Sequence, residues 1–452
     1  MSVHEVLNSH IFKNRREELA KRIRAKSGTG IVILGTAREA FRNRDSDYPY
    51  RHDSDFYYLT GFDEPEAVLV MQIDQTKQLS YLFCRPKNLE REIWDGIRLG
   101  PQDAPKKLGF DFAHSVEELD SRVPDLIANQ SHLYYRLASS QEADQSIRTW
   151  MDALKAKARS GVKKPENAHN IEAIVHEMRL IKDSYEIQTM RQAAKIAAQG
   201  HLQAMRQSKP GLREYHLEAE LLHVFRSMGA ESVAYNSIVA AGANGCILHY
   251  RASNAELRDG ELCLIDAGCE LNSYASDITR TFPINGKFSP TQKLVYEIVL
   301  DSQEAAIKEI RPGHDFQKPH EAALRVLTEG LFTMKVLNKD KHGSLEDAIS
   351  SQAYQPYYMH RTSHWLGMDV HDVGEYREPG DLQQGWRFLR EGMMLTVEPG
   401  LYFRPSPEVP KEFWNIGIRI EDDALVSAAG CELLSRDVPV TVHEIEKWMS
   451  QK

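Results

Sequence analysis

LCLIDAGCELNSYASDITRTF, residues 262–282, opens as a continuous apolar run, Leu262-Cys263-Leu264-Ile265, and closes that run with a carboxylate, Asp266. An unbroken apolar run of this kind reads as a strand buried on both faces, and a charge at its end is costly unless a partner is provided. After a loop with Gly268, Asn272 and Ser273, a second carboxylate, Asp277, precedes Ile278-Thr279-Arg280-Thr281-Phe282, whose β-branched residues mark a return strand. Such a hairpin brings Asp266 and Asp277 face to face. Two carboxylates about 4 Å apart repel by roughly 4 kcal/mol at an effective dielectric of ~20, so the pair calls for a shared proton or a shared cation.

The surrounding chain is laid out in two similar halves. A helix opens at Asp183, where Glu186 three residues on completes the pattern of a capping box. Lys209-Pro210-Gly211, a second helix and strands then lead to Asp266 and Asp277; a later helix, Arg311-Pro312-Gly313, another helix and more strands lead to Glu398 and Glu421. This is the layout of related halves folded over one site. Upstream, Ile11, Phe12, Leu19 and Ile23 predict a surface helix over His10–Ile23. Ile31–Leu34, Ala67–Met71, Tyr81–Cys84 and Leu133–Leu137 read as strands and Gln141–Lys157 as a helix, an α/β pattern. The charged, proline-containing segment Ser160–Asn170 reads as a connector, so the expected domains are 1–175 and 176–452.

Composition bounds the function. A chain of 452 residues exceeds one ordinary core, and its 42% hydrophobic and 27% charged residues are those of a soluble globular protein. The net charge of −9, with Lys and Arg dispersed, offers no footprint for nucleic acid or an anionic membrane. Cys84, Cys246, Cys263, Cys269 and Cys431 form an odd set without a C-x-x-C pair and read as reduced thiols. The N-terminus MSVHEVLNSH lacks signal-peptide architecture, and no apolar run approaches the ~20 residues of a bilayer span. A cytoplasmic enzyme is the expectation.

Three further segments place charged or imidazole groups within buried sequence: Met359–Asp372 (MHRTSHWLGMDVHD) with His360, His364 and His371; Met393–Tyr402 (MMLTVEPGLY) with Glu398; and Ile416–Asp423 (IGIRIEDD) with Arg419 and Glu421. With Asp266 and Asp277 they offer four carboxylates and a choice of histidines. Four carboxylates offset two divalent cations, and hard oxygen donors with one imidazole favour Mn, Co, Fe or Zn over ions that prefer thiolate. Two-metal sites are hydrolytic devices, in which a bridging water ionises at a pH near ~7 and a metal polarises the scissile carbonyl. His360 and His364 have the spacing of H-E-x-x-H, but Arg361 stands where that motif needs its glutamate, so a zincin helix is excluded. Taken alone, His364 beside Trp365 reads equally well as a packed core histidine, and Cys263 and Cys269 as core and turn filling.

Taken in order, ILHY (247–250), IDAGCELNSYASDITRTFP (265–283), SHWLGMDVHDVG (363–374), TVEPGLY (396–402) and GIRIEDD (417–423) resemble the motifs of the aminopeptidase P family of pita-bread metallopeptidases. RNRDSDYPYRHDSDFYYLTGFDEPEAVLV (42–70), EIWDGIRLG (92–100) and IVHEMRL (174–180) extend the resemblance to the N-terminal part. It implies an α+β fold: a pita-bread catalytic domain behind an α/β creatinase-type N-terminal domain that shapes access and oligomer contacts. The implied activity is removal of the N-terminal residue from peptides with proline in second position.

By the same resemblance Asp266, Asp277, His364, Glu398 and Glu421 are the ligands of two divalent ions, with manganese expected and Asp277 and Glu421 bridging. His249, His360 and His371 are active-site histidines, Glu398 accepts a proton, and Arg419 and Tyr402 lie near the proline pocket. A tetramer or dimer is expected, with Trp94 reaching a neighbouring subunit. Two departures stand out: Arg361 occupies a position where bacterial relatives often have glycine, and Glu391-Gly392 replaces a common Pro-Gly. Alternatives on the same fold are a prolidase restricted to Xaa-Pro dipeptides, a binding protein with a dead site, and metal-free amidinohydrolysis of the creatinase kind. The intact ligand set weighs against the last two.

Overall fold

The apolar runs at Ile31, Ala67 and Tyr81 become adjacent strands of one six-stranded sheet in the computed structural model, which describes residues 3–380 and 385–451. The chain falls into two units, Met1–Met178 and Arg179–Lys452. In the first, α1 (Val3–Ser27) precedes β1 (Gly30–Gly35), β2 (Val68–Ile73), β3 (Gln78–Cys84), β4 (Phe112–Ser115), β5 (His132–Tyr135), α2 (Gln141–Ala156) and β6 (Asn167–Asn170). The sheet order is β4-β3-β2-β1-β5-β6, antiparallel among β1, β2 and β3 and parallel at the other pairings. Ile147, Trp150 and Leu154, one stripe of α2 at helical spacing, bury against Ile31, Ile33, Val70, Phe83 and Leu133 of the sheet.

One expectation fails here. The segment read as a connector contains β6, which pairs in parallel with β5 from His132↔Asn167 to Tyr135↔Asn170. Its residues, Asn-Ala-His-Asn, are polar because the strand is a partly exposed sheet edge, so no apolar run announces it.

The second unit begins with α3 (Ser184–Gln207) and α4 (Glu214–Ser227), followed by β7 (Ile238–Ala241), β8 (Leu262–Asp266) and β9 (Thr279–Pro283) in one antiparallel sheet. Then come α5 (Pro290–Glu309), α6 (Lys318–Thr333), β10 (Met394–Val397), β11 (Gly400–Phe403), β12 (Ile416–Arg419), β13 (Asp422–Ser427) and β14 (Gly430–Leu433). Strands β10, β13 and β14 form a second antiparallel sheet and β11 pairs with β12. The capping box of α3 is present: the Glu186 N–H donates to Asp183 Oδ1 at 2.9 Å and the Asp183 N–H to Glu186 Oε2 at 2.9 Å. The two Pro-Gly turns correspond, the Gly211 N–H donating to the Leu257 carbonyl and the Gly313 N–H to that of Leu389.

Strand β8 is buried on both faces. Cys263 and Ile265 join the core with Leu217, Leu221 and Phe225 of α4, while Leu264 packs on the other side with Ile238, Ala240 and Tyr402. Each such aliphatic side chain contributes roughly 1.5–3 kcal/mol by leaving water. The loop after Asp266 is itself a small hairpin, Cys269–Leu271 against Tyr274–Ala275, turned by Asn272 and Ser273 at φ of 48° and 68°. At Gly268 a Cβ would fall 1.7 Å from the Ser276 carbonyl oxygen, and this close approach folds Asp277 back toward Asp266. All five cysteines are unpaired. Among the described residues no helix is long and apolar enough to cross a membrane.

Candidate metal centre

The end of β8, the start of β9, the loop before β10, the end of β10 and the β12–β13 junction deliver Asp266, Asp277, His364, Glu398 and Glu421 to the floor of one cavity of about 1000 Å³. Ligand atoms of Asp277, His364 and Glu421 all lie within 4.8 Å of one another. His364 Nε2 is 3.4 Å from Asp277 Oδ2 and 3.7 Å from Glu398 Oε1. Asp266 joins through Tyr235, whose hydroxyl lies 2.6 Å from Asp266 Oδ1 and 2.5 Å from Asp277 Oδ1. The hairpin therefore does bring the two aspartates together, with a phenol between them.

Carboxylates gathered out of water hold their protons tightly. Burial, then the charge of neighbouring carboxylates, raises Asp277 and Glu421. Burial raises Glu398 to about 7. His364 moves the other way from an isolated buried imidazole: burial opposes its charge, but Asp277 and Glu398 bring it up to about 9. These shifts mark a concentration of negative potential that a divalent cation would neutralise. The His364 Nδ1–H donates to the Trp365 carbonyl at 3.0 Å, which leaves Nε2, the atom facing the acids, free to coordinate. The donor set, carboxylate oxygens plus one imidazole nitrogen, fits a divalent cation of the Mn to Zn series.

A second layer orients these groups. Thr279 Oγ1 donates to Glu421 Oε2 at 2.6 Å and accepts from Arg419 Nε at 3.2 Å, while Arg419 Nη2 reaches Asp266 Oδ2 at 2.6 Å. Arg419 Nη1 also donates to the Tyr402 hydroxyl at 3.1 Å. His360 Nδ1 donates to the Arg361 carbonyl, so its Nε2 accepts from the Tyr402 hydroxyl at 2.8 Å. Burial, then the Arg419 charge, holds His360 neutral with a pKa near 3. His371 stacks on His364 with ring centroids 4.0 Å apart, and partial burial with that neighbour lowers it to about 4. Behind His371, Asp372 is locked by Arg179 and by Lys182 Nζ at 2.9 Å.

Of the residues singled out in the sequence, His249, His360, His371 and Arg419 line the cavity with the four acids and the His364 imidazole. Tyr402 is buried behind His360 and Arg419 and reaches the site through its hydroxyl. Sequence reasoning passed over Tyr235, Thr279 and Asp423, whose carboxylate accepts the Asp277 N–H. It also passed over Glu214, which accepts from the loop carrying His249. The acidic pair Asp422-Asp423 inside a strand was a signal for the third; Tyr235 and Glu214 sit in unremarkable local sequence.

Comparison with known proteins agrees with this geometry. Metallopeptidase family M24 matches residues 188–428, and the aminopeptidase P N-terminal domain matches residues 12–134. The Xaa-Pro aminopeptidase of Escherichia coli K12 is 43% identical over 97% of this chain and 97% of its own. Among solved structures, the aminopeptidase PepP of Pseudomonas aeruginosa superposes with a TM-score of 0.94 at 46% identity, covering 98% of each chain. Zinc-substituted E. coli aminopeptidase P in complex with product gives 0.93 at 42% identity, again covering 98% of each.

Proposed function

The chain belongs to metallopeptidase family M24, with a pita-bread catalytic domain and an aminopeptidase P N-terminal domain, and from this we propose that it is an Xaa-Pro aminopeptidase. It is a metallo-aminopeptidase that hydrolyses the first peptide bond of peptides with proline in second position. The observation that carries this reading is the convergence of Asp266, Asp277, His364, Glu398 and Glu421 at the floor of a cavity with room for a short peptide.

These five residues would hold two divalent ions, manganese first, with Asp277 and Glu421 shared between them. Such ions supply Lewis acidity toward the scissile carbonyl and ionise water at neutral pH. Glu398 is the group assigned to take up a proton and pass it toward the leaving nitrogen. That nitrogen belongs to a tertiary amide with no hydrogen, so departure requires protonation of the ring nitrogen. His249 and His371 are assigned to donate hydrogen bonds to substrate carbonyl oxygens, His371 being kept neutral. His360, with Tyr402 and Arg419 fixing its tautomer and position, borders the place of the proline ring. The substrate's free α-amino group is held by the acidic floor.

The proposal extends to organisation. The 1–175 domain serves access and association, with catalysis in 176–452. Leu89, Ile93, Trp94 and Ile97, on and beside the helix Leu89–Asp95, are each more than 80% exposed, and such an apolar patch supports burial against a second copy in a dimer or tetramer. Cytoplasmic residence completes the reading.

The test is hydrolysis of Xaa-Pro-Xaa and Xaa-Pro by metal-stripped protein before and after addition of manganese. Tripeptide cleavage that returns with metal is expected. Cleavage of the dipeptide alone would make the protein a prolidase, and inactivity on both despite stoichiometric metal would mean the fold serves another task.

A further inference from the structure

The cavity carries charge of both signs. Its floor holds Asp266, Asp277, Glu398 and Glu421, yet Arg361 and Arg377 also line it, both against the indole of Trp386. The Arg377 guanidinium lies 3.6 Å from the ring centroid and that of Arg361 4.6 Å. The ring is itself backed by Phe316, which packs against Tyr376 at 4.9 Å between centroids and against Trp365 at 4.6 Å. Stacking of this kind orients a guanidinium without using its in-plane N–H donors. Arg361 spends one of them on the Gln317 side-chain carbonyl and, among the described residues, meets no carboxylate. Two cations held against one indole repel each other, and an anion placed beside Arg361 relieves that repulsion.

Position relates this pair to the substrate. Arg361 directly follows His360, whose ring is 3.7 Å from Glu398 and which borders the proline. An extended peptide advances about 3.3–3.6 Å per residue, so a long arginine side chain next to His360 addresses the residue that follows proline. A peptide lying with its α-amino group on the acidic floor runs toward the basic wall.

We propose that Arg361, stacked on Trp386 beside Arg377, forms a subsite for a carboxylate carried by the residue after proline, either its side chain or the free C-terminus of a tripeptide. This rests on the Xaa-Pro reading and deepens it: the substrates handled best are tripeptides and peptides with Asp or Glu in third position.

The experiment compares kcat/KM of the manganese-loaded enzyme on Xaa-Pro-Leu with its C-terminal amide, and on Xaa-Pro-Glu-amide with Xaa-Pro-Gln-amide. A charge-assisted contact on a partly exposed arginine favours the anionic member by about five- to tenfold, carried by KM and shrinking with added salt. The first pair reads the C-terminal carboxylate and the second the side chain. In Arg361→Gln the preference should fall toward one, and in Arg361→Lys it should be partly retained. Equal rates within both pairs for the wild type would overturn the subsite while leaving Xaa-Pro cleavage standing. A preference that survives Arg361→Gln but disappears when Arg251, another arginine lining the cavity, is replaced by glutamine would overturn the assignment to Arg361. Failure to cleave any of the four would instead overturn the activity on which the inference rests.

Discussion

Replacing Glu214 by glutamine should loosen the loop that carries His249. Glu214 is fully buried at the start of α4, and its two oxygens serve four donors. Oε1 accepts from the Ala241 N–H at 2.8 Å and the Asn244 amide at 3.0 Å; Oε2 accepts from the Tyr250 hydroxyl at 2.9 Å and the Ala255 N–H at 2.8 Å. The carboxylate thus ties both ends of the segment 241–255 to one point, with His249 between them. Glutamine keeps one acceptor oxygen and turns an NH2 toward two donors, so two of the four bonds are lost. Hydrogen bonds to a charged group contribute about 1.5–3 kcal/mol each, and removal of a buried charge returns part of its desolvation cost, so the net loss should be about 3 kcal/mol. Urea unfolding of metal-stripped protein, followed by a probe in the second unit, should show the midpoint falling by about 1 M. Because His249 moves with the loop, kcat/KM on an Xaa-Pro tripeptide should drop about tenfold in metal-loaded protein. An unchanged midpoint would refute the energetic argument, and a lowered midpoint with full activity would refute the positioning argument.

Metal affinity should rise with pH between about 6 and 9, because protons occupy the ligands of the metal-free protein. Burial places Glu398 near 7, and His364, against the pull of burial, is brought up to about 9 by Asp277 and Glu398. Titration calorimetry of manganese in buffers of different ionisation enthalpy reads the released protons, and a pH-independent affinity would contradict the assignment. Tyr235→Phe removes the hydroxyl between Asp266 and Asp277 and should weaken that affinity about tenfold; equal binding would show the phenol to be incidental. His201 is buried with Nε2–H donating to the Ala267 carbonyl, and burial lowers it to about 4. Its folded pKa is thus below the unfolded value of about 6.5, so the neutral ring stabilises fully above ~6.5, by about 3 kcal/mol, and that contribution is lost as pH falls toward 4. The stability difference between wild type and His201→Gln should therefore narrow from pH 7 to pH 4.5, and a constant difference would sink the argument.

Much of the catalytic unit was legible in the sequence because burial on two faces leaves an unbroken apolar run. Leu262–Ile265 shows this, and its terminal Asp266 was conspicuous for the same reason. The Asp183–Glu186 capping box is a local interaction and could be read locally. Edge strand β6 could not, since hydrogen bonding along one exposed side imposes no apolar pattern. Nor could the partners of the site: Tyr235 lies 31 and 42 residues from the two aspartates it joins, and Lys182 lies 190 residues from Asp372. Arg361 illustrates the divide within one residue. Its presence beside His360 was plain from the motif, but its stacking on Trp386 with Arg377 was not.

By itself, then, the sequence determined which groups are chemically able to act: four carboxylates and several histidines embedded in strands and turns that follow from apolar periodicity and local capping. Tertiary structure alone decided which of them share a potential. Proximity of like charges, the phenol between two aspartates and the orientation of each imidazole depend on contacts between segments far apart in the chain, and the energies that shift their protons exist only once water has been excluded from between them.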